Sequence, residues 1–82
     1  MKTFPVKTAA QLGAILRGFR VERGLTQVAL AAAVGVSQKA ISIAETHPER
    51  LALKHLLPLL GALQVDLLLR DRQGQKLPRA EW

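Results

Sequence analysis

Eighty-two residues, 49% of them apolar, make one domain with a modest core, and so small a domain gains from an oligomer that adds burial. The chain has no cysteine, which excludes a disulfide framework and a thiolate zinc site, and its apolar region 51–69 is interrupted by Lys54, His55, Gln64 and Asp66, which excludes a membrane span. Twelve Lys and Arg stand against six acids, a formal charge of +6, so a polyanion is the first expected partner. Residues 1–7 lack the long apolar core of a signal peptide, and the expected location is cytoplasmic.

In chain order, residues 1–7 read as a flexible arm in which Pro5 discourages helix. Thr8 and Gln11 have the spacing of a capping box, and the helix they open carries Leu12, Ile15, Leu16 and Phe19 on one stripe up to Gly24. Gly13 and Gly18 inside it each cost about 1 kcal/mol relative to alanine; either a close neighbour or a tolerated weakness explains them. Thr26 caps a second short helix, Gly35 supplies its left-handed end, and Ser37 caps a third. Leu30, Ala31, Val34, Ile41 and Ala44 are the positions that face inward, and the alanines allow a steep, close crossing. That pattern is a helix-turn-helix, whose second helix is a candidate reader of the DNA major groove.

After the polar loop 46–50, residues 53–63 form a fourth helix with Leu53, Leu56, Leu57, Leu60 and Leu63 inward, starting late or bending at Pro58. The period then changes. Val65, Asp66, Leu67, Leu68, Leu69 and Arg70 fit a strand with Val65, Leu67 and Leu69 on one face. No second strand is evident, so the same strand of another copy is the expected partner, giving a two-fold homodimer. An antiparallel register centred on Leu68 sets Asp66 opposite Arg70 twice. Residues 71–82 read as a flexible polar tail ending in the lone Trp82, which is either an accident of composition or a plug for a pocket on a partner.

If the helix after Ser37 reads bases, Gln38 and Lys39 lie on its first turn and Ser42 recurs on that face one turn later. Gln suits the adenine N6/N7 pair, Lys the guanine O6/N7 acceptors, and Ser either. Ile43 borders the face, and packing against the protein is its expected role. Gln27 and Ser37, at two helix starts, and the cations Arg17 and Arg23 are candidates for phosphate, as are Lys2 and Lys7 in the arm. A solvated side chain without a partner is the competing reading for these residues, except that for Ser37 the expected role is the helix cap. Catalysis finds no support: Glu22, Glu45, Glu49, Asp66, Asp71 and Glu81 form no acid/base pair. His47 and His55 lack metal-ligand spacing, and no glycine-rich phosphate loop is present. No metal, cofactor or enzymatic activity is expected.

The run Gly24 to Glu45, GLTQVALAAAVGVSQKAISIAE, resembles the helix-turn-helix of the lambda-repressor/Cro (XRE) family through Thr26-Gln27, Gly35, Ser37-Gln38 and Ile41-Ser42. Within it, residues 8–70 and the terminal Glu81-Trp82 are similar to the HipB-like antitoxins. The resemblance implies an all-α, four-helix, lambda-repressor-like domain over residues 8–64, with the 65–70 strand pairing across a homodimer. It implies an ion pair between Arg20 and Glu45, and binding of palindromic double-stranded operator DNA that represses the chain's own operon. It further implies a HipA-like kinase toxin as partner, with Trp82 docked in a pocket of that toxin. Three features depart from the pattern. Pro58 interrupts the fourth helix, the polar residues of the third helix are its own, and Ala44 stands where a large apolar residue is usual. The alternatives are an XRE repressor with no toxin partner and a protein-interaction module that never meets DNA.

Overall fold

The computed structural model describes residues 2–73. Four α-helices follow one another, α1 (Ala9–Glu22), α2 (Gln27–Val34), α3 (Gln38–Thr46) and α4 (Leu53–Ala62), with a 3-10 turn over Pro48–Arg50 before the last. Each of the first three begins where a side chain accepts from an otherwise unpaired backbone N–H. Thr8 Oγ1 accepts from Gln11 N at 3.1 Å while Gln11 Oε1 accepts from Thr8 N at 3.2 Å, completing the capping box. Thr26 Oγ1 accepts from Ala29 N at 3.0 Å and Ser37 Oγ from Ala40 N at 3.1 Å. At the end of α2, Gly35 takes φ 83° and ψ 33°, and the N–H groups of Gly35 and Val36 both donate to Ala31 O. That left-handed residue turns the chain between α2 and α3, which lie at 110° to each other.

The core joins Leu16 of α1, Leu30 and Ala31 of α2, Ile41 and Ala44 of α3, and Leu56, Leu59, Leu60 and Leu63 from α4 and its end. Gly13 is where α1 meets α3. A Cβ built on it would clash with the Glu45 carbonyl oxygen and lie 2.9 Å from the Glu45 carbonyl carbon. The close neighbour is therefore the explanation for Gly13. Gly18 has nothing within 4 Å of the same built atom.

Helix α4 differs from expectation in the leucines it buries. Leu53 and Leu57 are 57% and 47% exposed, and Leu59 is buried in their place. Six leucines lie between 53 and 63, enough for two overlapping stripes, and packing against α2 selects 56, 59, 60 and 63. Of the two expectations for Pro58, the late start does not occur: the helix starts at Leu53 and continues past the proline to Ala62. The proline is exposed, so the Lys54 carbonyl that loses its helical donor is on the outer side.

Past Leu63, Gln64 adopts φ 59°, and Gln64 N and Val65 N donate to Gly61 O at 3.0 Å and Leu60 O at 2.9 Å. This is a Schellman end closed by a glutamine instead of a glycine, with Val65 packed back on the core. Residues 65–70 form no ladder within the described part of the chain, and Leu67, Leu68 and Leu69 are exposed. A ladder needs a second strand, and none occurs among the described residues. At the other end, the arm is held at Phe4, whose ring meets Phe19 edge-on at 5.5 Å. Trp82 and most of the 71–82 tail lie outside the described residues.

Candidate nucleic-acid interface

Helix α3 separates its residues into two sides. Ile41 and Ala44 are 1% and 0% exposed, whereas Gln38 and Lys39 on the first turn are open to solvent. Ser42 and Ile43 are half-buried. Lys39 makes no hydrogen bond or ion pair among the described residues, so its ammonium is available to an acceptor. Ser37 is engaged as the cap of the helix, as noted above.

Helix α3 is held against α1 by the expected ion pair. Arg20 Nε lies 2.6 Å from Glu45 Oε2 and Arg20 Nη2 3.1 Å from Oε1, while Nη1 donates to Leu25 O at 2.8 Å. Both side chains are largely buried, and the carboxylate raises the guanidinium above its ordinary pKa, chiefly through the hydrogen bonds. Two parallel charge-assisted bonds on a planar fork fix direction as well as distance. In the adjoining loop, Glu49 is held below the usual carboxylate range, mainly by a backbone hydrogen bond and also by His47 at 3.3 Å.

The candidate phosphate residues divide. Gln27 is half-buried, and its side chain turns toward α3: Nε2 donates to Glu45 Oε1 at 3.1 Å, and Oε1 accepts from Gln38 Nε2 at 3.4 Å. The Gln27 amide is thus engaged within the protein, a role that appears only when the helices are assembled. Its one sequence trace is a pair of amides, Gln27 and Gln38, each on the first residue of its helix. Arg23 is also engaged: Nε donates to Leu63 O at 3.1 Å, Nη1 lies 3.5 Å from Glu22 and the guanidinium stands 5.3 Å over the Phe19 ring. It ties the end of α1 to the end of α4. Arg17 is exposed beside an open groove also lined by Ala10, Ala14, Gln27, Glu45 and Thr46. No cluster of three metal-ligating side chains occurs among the described residues.

Comparison with known proteins agrees with this geometry. No curated protein sequence matches the chain. Among solved structures, HipB in the HipA–HipB–O2–O3 complex superposes with a TM-score of 0.78 at 27% identity, covering 85% of this chain and 99% of that one. HipB in an O2 20-mer complex gives 0.79 at 27% identity over 87% and 99%, and HipB in an O4 20-mer complex gives 0.78 at 27% over 85% and 99%. A helix-turn-helix family profile matches residues 16–69, from within α1 to the exposed leucines beyond α4. With its capped helices, turn glycine and outward-facing Gln38 and Lys39, the chain belongs to the XRE-type helix-turn-helix family of DNA-binding proteins.

Proposed function

We propose that this chain is the DNA-binding antitoxin of a HipA–HipB-type module. As a homodimer it binds a palindromic operator, represses its own operon and binds a HipA-like kinase toxin. One observation carries the reading: an exposed Gln38–Lys39 pair at the capped start of a helix whose other side is fully buried and whose far end is pinned by Arg20. The likeness to HipB in complexes with HipA and with 20-mers supports both partners. Two copies related by a dyad set their α3 helices about 34 Å apart, one turn of duplex, so the operator is an inverted repeat. Lys39 and Ser42 meet base edges, Gln38 joins them, Arg17 neutralises phosphate, and the N–H groups at the start of α2 donate to phosphate oxygens.

The test separates reading from positioning. Lys39→Ala should change the sequence preference obtained by selection from a randomised duplex library, with about 1–3 kcal/mol lost at one position of each half-site. Arg17→Ala should weaken all duplexes alike and make the dependence of affinity on salt shallower by about one counterion per site. Indistinguishable sequence profiles for wild type and Lys39→Ala would remove Lys39 from the interface.

A further inference from the structure

Two non-helical stretches, the arm and residues 65–70, lie at one corner of the molecule with unpaired backbones. Arg23 joins them. Its guanidinium stands over the Phe19 ring, on which Phe4 rests edge-on, and its Nε donates to Leu63 O, two residues before Val65. Residues 2–7 hold no helix or turn, and Pro5 keeps Phe4 extended. In an extended chain the backbone groups of successive residues point to opposite edges. Thr3, Pro5 and Lys7 therefore share one edge, and Phe4 and Val6 the other. The first edge is closed, since Pro5 has no N–H and Lys7 N donates to Gln11 Oε1 at 2.6 Å. The second is open: the N–H groups of Phe4 and Val6 have no acceptor among the described residues.

We propose that residues 2–6 of each chain pair, through that open edge, with the 65–70 strand of a second copy, widening the dimer's two-stranded ribbon to a four-stranded sheet. The proposal rests on the homodimer proposed above, with residues 65–70 paired about Leu68. Such a ribbon alone is marginally stable and leaves a row of unpaired N–H and C=O groups along each outer side. No backbone N–H from Asp66 to Arg70 is bonded among the described residues. An arm laid on each outer side satisfies these groups, and its closed edge then faces solvent, where Pro5 gives a third copy no donor to pair with. The two faces agree as well. Phe4 turns its ring onto α1 and shares its side with Val6, while Val65 packs on the core and shares its side with Leu67 and Leu69. Phe4, Val6, Leu67 and Leu69 are all exposed in the single chain, and pairing gathers them into one apolar layer over the ends of α1 and α4. The second copy supplies the arm, because the two stretches of one chain are neighbours and yet share no hydrogen bond.

The chain has no cysteine, so cysteines introduced into the full protein report contacts without interference. Thr3, Asp66 and Arg70 are exposed and fall on the outward face of the sheet, opposite Phe4 and Leu67. A Thr3→Cys chain is equilibrated with a longer, tagged chain carrying Asp66→Cys or Arg70→Cys, and a short bismaleimide is added. At least one of the two mixtures should give a linked heterodimer. A mixture with tagged Lys39→Cys, on the open face of α3, should give none. In the unmodified protein, amide exchange at Phe4 and Val6 should be slower than at Thr3 by about tenfold or more. Leu68→Cys alone should link to its own copy, which reports the ribbon separately. If Leu68→Cys links but Thr3→Cys joins neither strand position, the arm proposal falls and the dimer stands. Phe4 and Val6 exchanging as fast as Thr3 overturns it too. So does linkage confined to one chain, seen as a linked monomer of the double variant Thr3→Cys with Asp66→Cys or Arg70→Cys. If Leu68→Cys does not link, the ribbon is absent and the proposal falls with it.

Discussion

Gly13 sets the distance between α1 and α3. Its missing side chain lets the α1 backbone rest against the Glu45 carbonyl, directly behind the carboxylate that Arg20 holds. Gly13→Ala should therefore destabilise the protein by about 1–3 kcal/mol in urea unfolding, because a backbone neighbour cannot swing aside as a side-chain tip can. Gly18→Ala is the control. With open space around it, the substitution should stabilise by up to about 1 kcal/mol through helix propensity alone. Equal effects of the two changes would show that the α1–α3 contact is not tight. Nothing in the sequence tells these glycines apart, since both sit inside one helix and only the neighbour differs. Gln27 is opaque for the same reason: its position at a helix start suggests an anion, and only assembly turns it toward Glu45.

At the scale of elements, what could be read from the chain follows the range of the interaction. Caps and turns are local, so Thr8, Thr26, Ser37 and Gly35 could be placed from their neighbours alone. The inward set of α4 depends on α2, and with leucine at both 57 and 59 the periodicity had two solutions. Arg23 reaches Leu63, forty residues away, and no local pattern announces that bond. Its effect is to hold the point where the chain leaves α4 for residues 65–70. If that segment pairs with its own copy about Leu68, Asp66 of each chain faces Arg70 of the other. Asp66→Arg should then shift the monomer–dimer equilibrium toward monomer by about tenfold, since each of two opposite-charge pairs becomes a repulsion. Sedimentation equilibrium measures it, and an unchanged association constant excludes the register.

For the whole molecule, a charge of +6 doubles in a dimer, and the proposed operator supplies the matching phosphates. The proposed toxin contact is a separate matter. It is assigned to Trp82 and not to α3, so DNA binding and toxin binding should come apart. Deleting Glu81-Trp82 should leave duplex affinity unchanged and reduce affinity for a HipA-like kinase by at least tenfold, as loss of a tryptophan anchor does. Calorimetry with each partner reads both, and full affinity for the kinase after the deletion would move the contact elsewhere.

The two residues of α3 proposed to read neighbouring bases also differ in how freely they can change over generations. Lys39 has no partner among the described residues, so, under the proposed role, a mutation there should alter one letter of the target and leave the scaffold alone. Gln38 is the last member of a hydrogen-bonded series, and replacing it leaves the Gln27 carbonyl without its donor. New target preferences should therefore arise by single steps at Lys39 without disturbing the scaffold, whereas a change at Gln38 also disturbs the hydrogen bonding of Gln27.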